Sequence, residues 1–190
     1  MKASVLVLIL SGVIVMMGNA PPAGTIFKTS NGNIKISSDA PLEIIKASSS
    51  ELKGAIDADK RTFAFTINNN SIKGFNSPLQ QEHFYENYIE AKKYPVSTFE
   101  GKIIEQVDFS KNAEYTVRAK GILTIHGVAR ERIIKSTLRV QGNTITVKSA
   151  FTILLSEHNI TIPKIVYQKI AEEIKIEVDA EFNAIGTSTK

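Results

Sequence analysis

The stretch "EHFYENYIEAKKYPVSTFEGKI", residues 82–103, sets His83 between Glu82 and Glu86 beside a row of aromatics. A histidine with close carboxylates is the raw material of a metal site or a proton-transfer pair. A helical zinc site, however, needs a second histidine one turn on, as in H-E-x-x-H, and none follows. The other two histidines lie far off in sequence: His126 before Gly127 at the end of an alternating run, and His158 after Glu157 in a loop. Three separate hydrogen-bonding or surface histidines are the simpler reading. A metal- or haem-associated site assembled from them in space stays open at this point.

Other catalytic constellations are missing. No G-x-S-x-G turn presents a serine nucleophile, and no G-x-G-x-x-G or Walker-type loop offers a seat for a nucleotide cofactor. The chain has no cysteine, which excludes disulfides, thiolate ligands, cysteine nucleophiles and a lipid-modified lipoprotein N-terminus. Glu82 with Glu86, and Glu172 with Glu173, are pairs that helix surfaces and strand edges produce routinely. The formal charge of +4 is spread along the chain, and Arg130 and Arg132 share one face of a hairpin while Lys135 and Arg139 share the other. That is a solvated surface and not a nucleic-acid footprint. The residues point to a protein that is not an enzyme and uses no cofactor.

What remains is apolar and aromatic. Phe63, Phe65, Phe75, Phe84, Tyr88, Phe99, Leu123, Ile125, Phe151, Ile153, Tyr167 and Ile176 are the candidate inward, ligand-binding positions. They either line a pocket whose mouth the helices cover or fill a dry core.

The elements that carry them are mostly of period two. "GNIKIS" puts Ile34 and Ile36 on one face, "RTFAFTI" does so with Phe63, Phe65 and Ile67, and "EYTVRAKGILTIHG" with Tyr115, Val117, Ala119, Leu123 and Ile125. "NTITVKSAFTILL" and "EEIKIEVDAEF" repeat the pattern, each with one dry and one wet face. Turn signals fall at Asn31-Gly32, Asp57 to Lys60, Gly127 and Gln141-Gly142-Asn143. Two segments break the period. "SPLQQEHFYENYIEA" has Ser77 as N-cap, Pro78 at the first helical position, and Leu79, His83, Phe84 and Tyr88 at helical spacing. "PKIVYQKIA" begins at Pro163 with Ile165, Val166 and Ile170 on one side. About eight strands and two short helices predict a mainly β chain, a single antiparallel barrel able to hold one small ligand.

Residues 1–20 read as a secretory signal peptide: Lys2, an uncharged apolar run from Ala3 to Met17, then Gly18, Asn19 and Ala20. Export to the periplasm, or secretion, is the expectation; Pro21 is an unfavourable residue just after the cut, so a cut shifted by a few residues and a retained anchor stay open. The barrel domain is expected over residues 24–186.

Three blocks in order complete the reading. Lys93-Tyr94-Pro95 is followed by Phe99, Gly101 and Ile103; then comes "GILTIHGV", Gly121 to Val128; then "FTILLSEHNITIPKIVYQKIAEEIKIEV". Together they closely resemble the YceI-like family of lipid-binding proteins, over about Thr25 to Ala184. The resemblance implies a lipocalin-like barrel in the periplasm that holds a long polyisoprenoid or isoprenoid-quinone lipid, as carrier or reservoir, with some relatives tied to stress responses. A membrane as lipid source, with transient contact open, goes with it, and the spread of charge noted above argues against nucleic acid. A homodimer, and a filled barrel acting as an interaction module, stay open.

Overall fold

Eight antiparallel strands close on themselves in chain order: β1 (Ile26–Asp39), β2 (Ile44–Asp57), β3 (Thr62–Asn68), β4 (Val96–Ile103), β5 (Ala113–Ile125), β6 (Val128–Gln141), β7 (Thr144–Leu154) and β8 (Glu173–Ile185). The computed structural model describes residues 25–185. The expected signal peptide and both limits of the expected domain lie outside them. Pairing of β1 with β8 completes the barrel, with Ile36 opposite Ile176 and Phe27 opposite Ala184. Closure gives every strand two neighbours and leaves no open edge.

The turn chemistry sets the register. His126 and Gly127 join β5 to β6 with φ of 51° and 70°, the positive pair that a type I′ hairpin requires, and Ile125 pairs directly with Val128. Gly142 and Asn143 join β6 to β7 in the same two-residue manner, with Gln141 opposite Thr144. Asn31-Gly32, expected as a turn, instead lies inside β1. Pairing with β2 shifts on either side of Gly32, and a Cβ there would stand 2.8 Å from Ala180 Cβ. The glycine lets an irregular strand pass close to the adjoining β8 and β2.

The two ends of the barrel differ. At the lower end Phe27, Ile56, Leu138, Val140, Ile145 and Phe182 are buried almost completely, and Phe109 from the β4–β5 connection packs on Phe27 with ring centroids 6.1 Å apart. This half is a dry core. At the upper end two connections fold over the opening. One carries α1 (Pro78–His83), capped as expected by Ser77, whose side chain accepts from Gln80 N. It runs on into a π-turn, Phe84–Tyr88, closed by Ile89 N donating to Phe84 O at 2.9 Å.

The other connection, between β7 and β8, is where a second helix is expected. It forms short 3₁₀ turns at Leu155–His158 and Lys164–Val166. A 3₁₀ turn advances about 120° per residue, so Val166 turns inward while Ile165 is 92% exposed.

Candidate functional site

Beneath these connections the upper half of the barrel is hollow. The cavity measures about 330 Å³, and its walls include twelve isoleucines, among them Ile34 and Ile36 of β1, Ile67 of β3, Ile125 of β5, Ile153 of β7 and Ile174 and Ile176 of β8. Period-two alternation puts these side chains inside, and β-branching suits a pleated, half-buried wall. Phe75, Phe84, Tyr88 and Ile89 come from the α1 connection, and Leu155, Ile160, Val166 and Ile170 from the other.

The π-turn explains which helical residues face inward. Its wider turn brings Phe84, Tyr88 and Ile89 to the cavity, whereas Leu79, expected on the same face, is 58% exposed. Phe84 stacks on Phe75 with centroids 4.9 Å apart. Burial raises the Tyr88 phenol above its ordinary value, so the hydroxyl is a neutral donor at the wall.

Polar groups gather toward the mouth: Glu43, Gln80, His83 and Lys169. Glu43 Oε1 accepts from Gln80 Nε2 at 2.6 Å and from Asn76 Nδ2 at 3.1 Å. These bonds tie the β1–β2 loop to the start of α1. Further in, Asn69 is buried and fully engaged: Nδ2 donates to Tyr94 O at 2.7 Å and Oδ1 accepts from Ser97 Oγ at 2.9 Å. With Glu43, Gln80 and Asn69 already partnered, an apolar guest leaves none of the three stranded.

The candidates from sequence divide into groups. Phe75, Phe84, Tyr88, Ile125, Ile153 and Ile176 line the cavity. Phe63, Phe65, Phe99 and Phe151 sit deeper, around a separate void of about 70 Å³. Leu123 is buried in the upper core cluster and lines neither space. Tyr167, expected inward, is 63% exposed, because the 3₁₀ turn directs Val166 and Ile170 to the cavity and leaves Tyr167 between them outside. Ile34, Ile36 and Ile67 were visible as inward faces. The mouth residues Glu43, Gln80 and Lys169 carried no signal, since loop contacts bring them together.

His126 and His158 meet, but as structural groups. His126 Nε2 lies 2.5 Å from Glu90 Oε2 and Nδ1 lies 3.0 Å from the His158 carbonyl oxygen, so both ring nitrogens face acceptors. His158 is fully buried, and its Nδ1 donates to Val128 O at 3.1 Å. Burial, the largest influence, pushes its pKa below the ordinary 6.5. Arg130 Nε donates to Glu157 O at 2.8 Å, and Arg132 pairs with the Glu157 carboxylate. These arginines pin the 3₁₀ turn over β6. His83 stands apart at the mouth, and among the described residues no group of three or more His, Asp or Glu side chains is placed to hold a metal.

The shared blocks acquire a physical meaning here. Gly101 and Gly121 face each other across β4 and β5. A Cβ on Gly101 would stand 2.1 Å from Lys120 O, so side chains are excluded from this close approach. Tyr94 packs edge-on against His126 with centroids 4.6 Å apart, over the space left by Gly127. The blocks are joints of the barrel, and they fix the connection that roofs the cavity.

A closed antiparallel barrel, packed below and hollow above, with apolar walls and a polar mouth, is a ligand-binding barrel in form. The profile of the YceI-like domain matches residues 24–182, and the chain belongs to the YceI-like family. No curated protein matches it in sequence. Among solved structures it is similar to a polyisoprenoid binding domain from Saccharophagus degradans implicated in plant cell wall breakdown. That likeness has TM-score 0.69 at 13% identity and covers 86% of this chain and 100% of that one. It is also similar to BcnA of Burkholderia cenocepacia (TM-score 0.65, 19% identity, 79% and 95% covered). The YCEI protein of Campylobacter jejuni is a third (TM-score 0.53, 18% identity, 96% and 98% covered). At these identities the likeness is one of fold.

Proposed function

We propose that this protein is a non-enzymatic carrier or reservoir that holds the apolar chain of an isoprenoid-type lipid in the upper barrel. The observation that carries the reading is the cavity itself: a hollow of about 330 Å³ walled by isoleucine and aromatic side chains, with charge confined to its mouth. Membership of the YceI-like family and the fold shared with a polyisoprenoid binding domain support it. Burying several hundred Å² of hydrocarbon yields on the order of 10 kcal/mol gross at about 25 cal/mol per Å². Ordering the chain and losing its free motion offset much of that.

A membrane is the natural source of such a lipid. Leu42, Leu79, Ile165 and Tyr167 are exposed large apolar residues, and each is adjacent in sequence to a residue that lines the cavity, Glu43, Gln80 or Val166. Leu42 N donates to Gln168 O at 2.9 Å, which joins two of these loops. Lys164 and Lys169 bracket Ile165 and Tyr167, a pairing of aromatic and basic residues suited to a lipid interface. The signal-peptide pattern of residues 1–20 supports a periplasmic site of action.

The deciding experiment is organic extraction and mass spectrometry of the protein purified from a bacterial periplasm without detergent. About one isoprenoid lipid per chain is the expected result. A folded protein with no extractable lipid would instead favour an interaction module built on the barrel surface.

A further inference from the structure

The cavity has a floor, and the floor is aromatic. Along β3 the cavity wall at Ile67 gives way, one inward position further down, to Phe65 and then Phe63. Along β4 Ser97 gives way to Phe99, along β7 Ile153 to Phe151, and along β8 Ile176 to Val178. On β3 and β4 the change falls at one register level, Ile67 opposite Ser97 and Phe65 opposite Phe99, and on β8 it falls one inward position below that on β7, since Phe151 pairs with Ile176. The β3 and β4 rings and Phe182 brace one another, with Phe63 to Phe99 at 4.9 Å, Phe63 to Phe65 at 5.8 Å and Phe65 to Phe182 at 5.5 Å between centroids, and Phe151 reaches the same void from β7. Below them lies the separate void of about 70 Å³, and below that the dry lower core.

From this arrangement, and resting on the lipid-carrier reading above, we infer that the layer Phe65, Phe99 and Phe151 limits the cargo to a short isoprenoid of about three units. A packed cavity of about 150 Å³ accommodates one benzene, so about 330 Å³ holds a chain of roughly 13 carbons. At the same ratio a chain of 40 carbons would need about 1,000 Å³, the top of the range for ligand pockets. Depth agrees with volume. On β1 the wall runs from Ile34 to Ser38, about 13 Å at roughly 3.3 Å per residue. An extended isoprene unit, four chain carbons with bonds of about 1.5 Å, spans about 5 Å, so between two and three units fit below the mouth and the head group sits among Glu43, Gln80, His83 and Lys169. The long lipid suggested by the family resemblance is therefore narrowed, for this chain, to a short one.

The test is a length ladder. Vesicles of neutral phospholipid are doped equally with all-trans isoprenoid alcohols of two, three, four and nine units, incubated with the protein, and separated by flotation. The protein fraction is then extracted for mass spectrometry. The three-unit alcohol is expected to be enriched at least about tenfold over the nine-unit alcohol, because whatever projects from the mouth leaves the bilayer for water. Phe99→Ala with Phe151→Ala, which joins the cavity to the void beneath, is expected to reduce that preference to about threefold or less. Phe151→Val alone provides a milder variant if the double one does not fold, and the unmodified protein tests the length limit without either. Equal uptake of nine-unit and three-unit alcohols by the unmodified protein would overturn the length limit and leave the carrier reading intact. A folded double variant with unchanged preference would remove the aromatic floor as its cause. Uptake of no isoprenoid at any length would overturn both readings together.

Discussion

A methyl group at Gly127 would stand 2.4 Å from Tyr94 Cε1, on a backbone already at φ 70°. Steric overlap and left-handed strain act together there, and Gly127→Ala is expected to cost about 2 kcal/mol, read as a lower urea midpoint at unchanged m-value. His158 gives a second residue-scale test. Its imidazole is buried with Nδ1 bonded to Val128 O, and burial lowers its pKa from 6.5. Arg132 lowers it further and Glu157 opposes. The unfolded chain therefore binds a proton more readily than the folded one as pH falls below about 6.5, and stability falls with it. Replacing His158 with Gln removes that proton, so the loss of stability between about pH 7.5 and about pH 5 should be smaller in the variant, measured by thermal unfolding. An equal loss in both would show that other groups govern acid sensitivity.

At the scale of elements, the roof over the cavity hangs on few bonds. Tyr85 OH donates to Ile72 O at 2.6 Å and lies 3.1 Å from Asn70 O, joining the π-turn to the connection that leaves β3. Tyr85→Phe removes that tie while keeping the ring. A loss of about 1 kcal/mol in local closing free energy is expected, seen as faster amide exchange across residues 78–94 with little change in global stability. Protection lost uniformly over the barrel would show that the roof and the strands open as one unit. The second connection differs because its helical sequence is too short to bury itself. Pro163 opens a single 3₁₀ turn, and Leu155 N donating to Glu172 O at 2.9 Å pins its two ends back to the strands.

For the whole molecule, the division into a packed lower half and a hollow upper half predicts that the cavity can be filled without loss of the fold. Ile153→Trp places a larger side chain into the hollow from a buried wall position. It should abolish lipid uptake while leaving the circular dichroism spectrum and thermal midpoint near those of the unmodified protein. A variant that folds and still takes up lipid would place the ligand elsewhere. Much of this plan was legible in the sequence. Alternation of period two fixed which strand residues point inward, and Ser77-Pro78 marked a helix start, Gly127 a turn and Gly142-Asn143 a hairpin, because each depends on neighbours within a few residues. Only the tertiary structure decided that Asn31-Gly32 runs on as strand, that Tyr167 faces water, and that the inward aromatics form a floor beneath a cavity and do not line it throughout. Those outcomes depend on which side chains meet across a closed barrel, and that is set by register and closure, which no local pattern records.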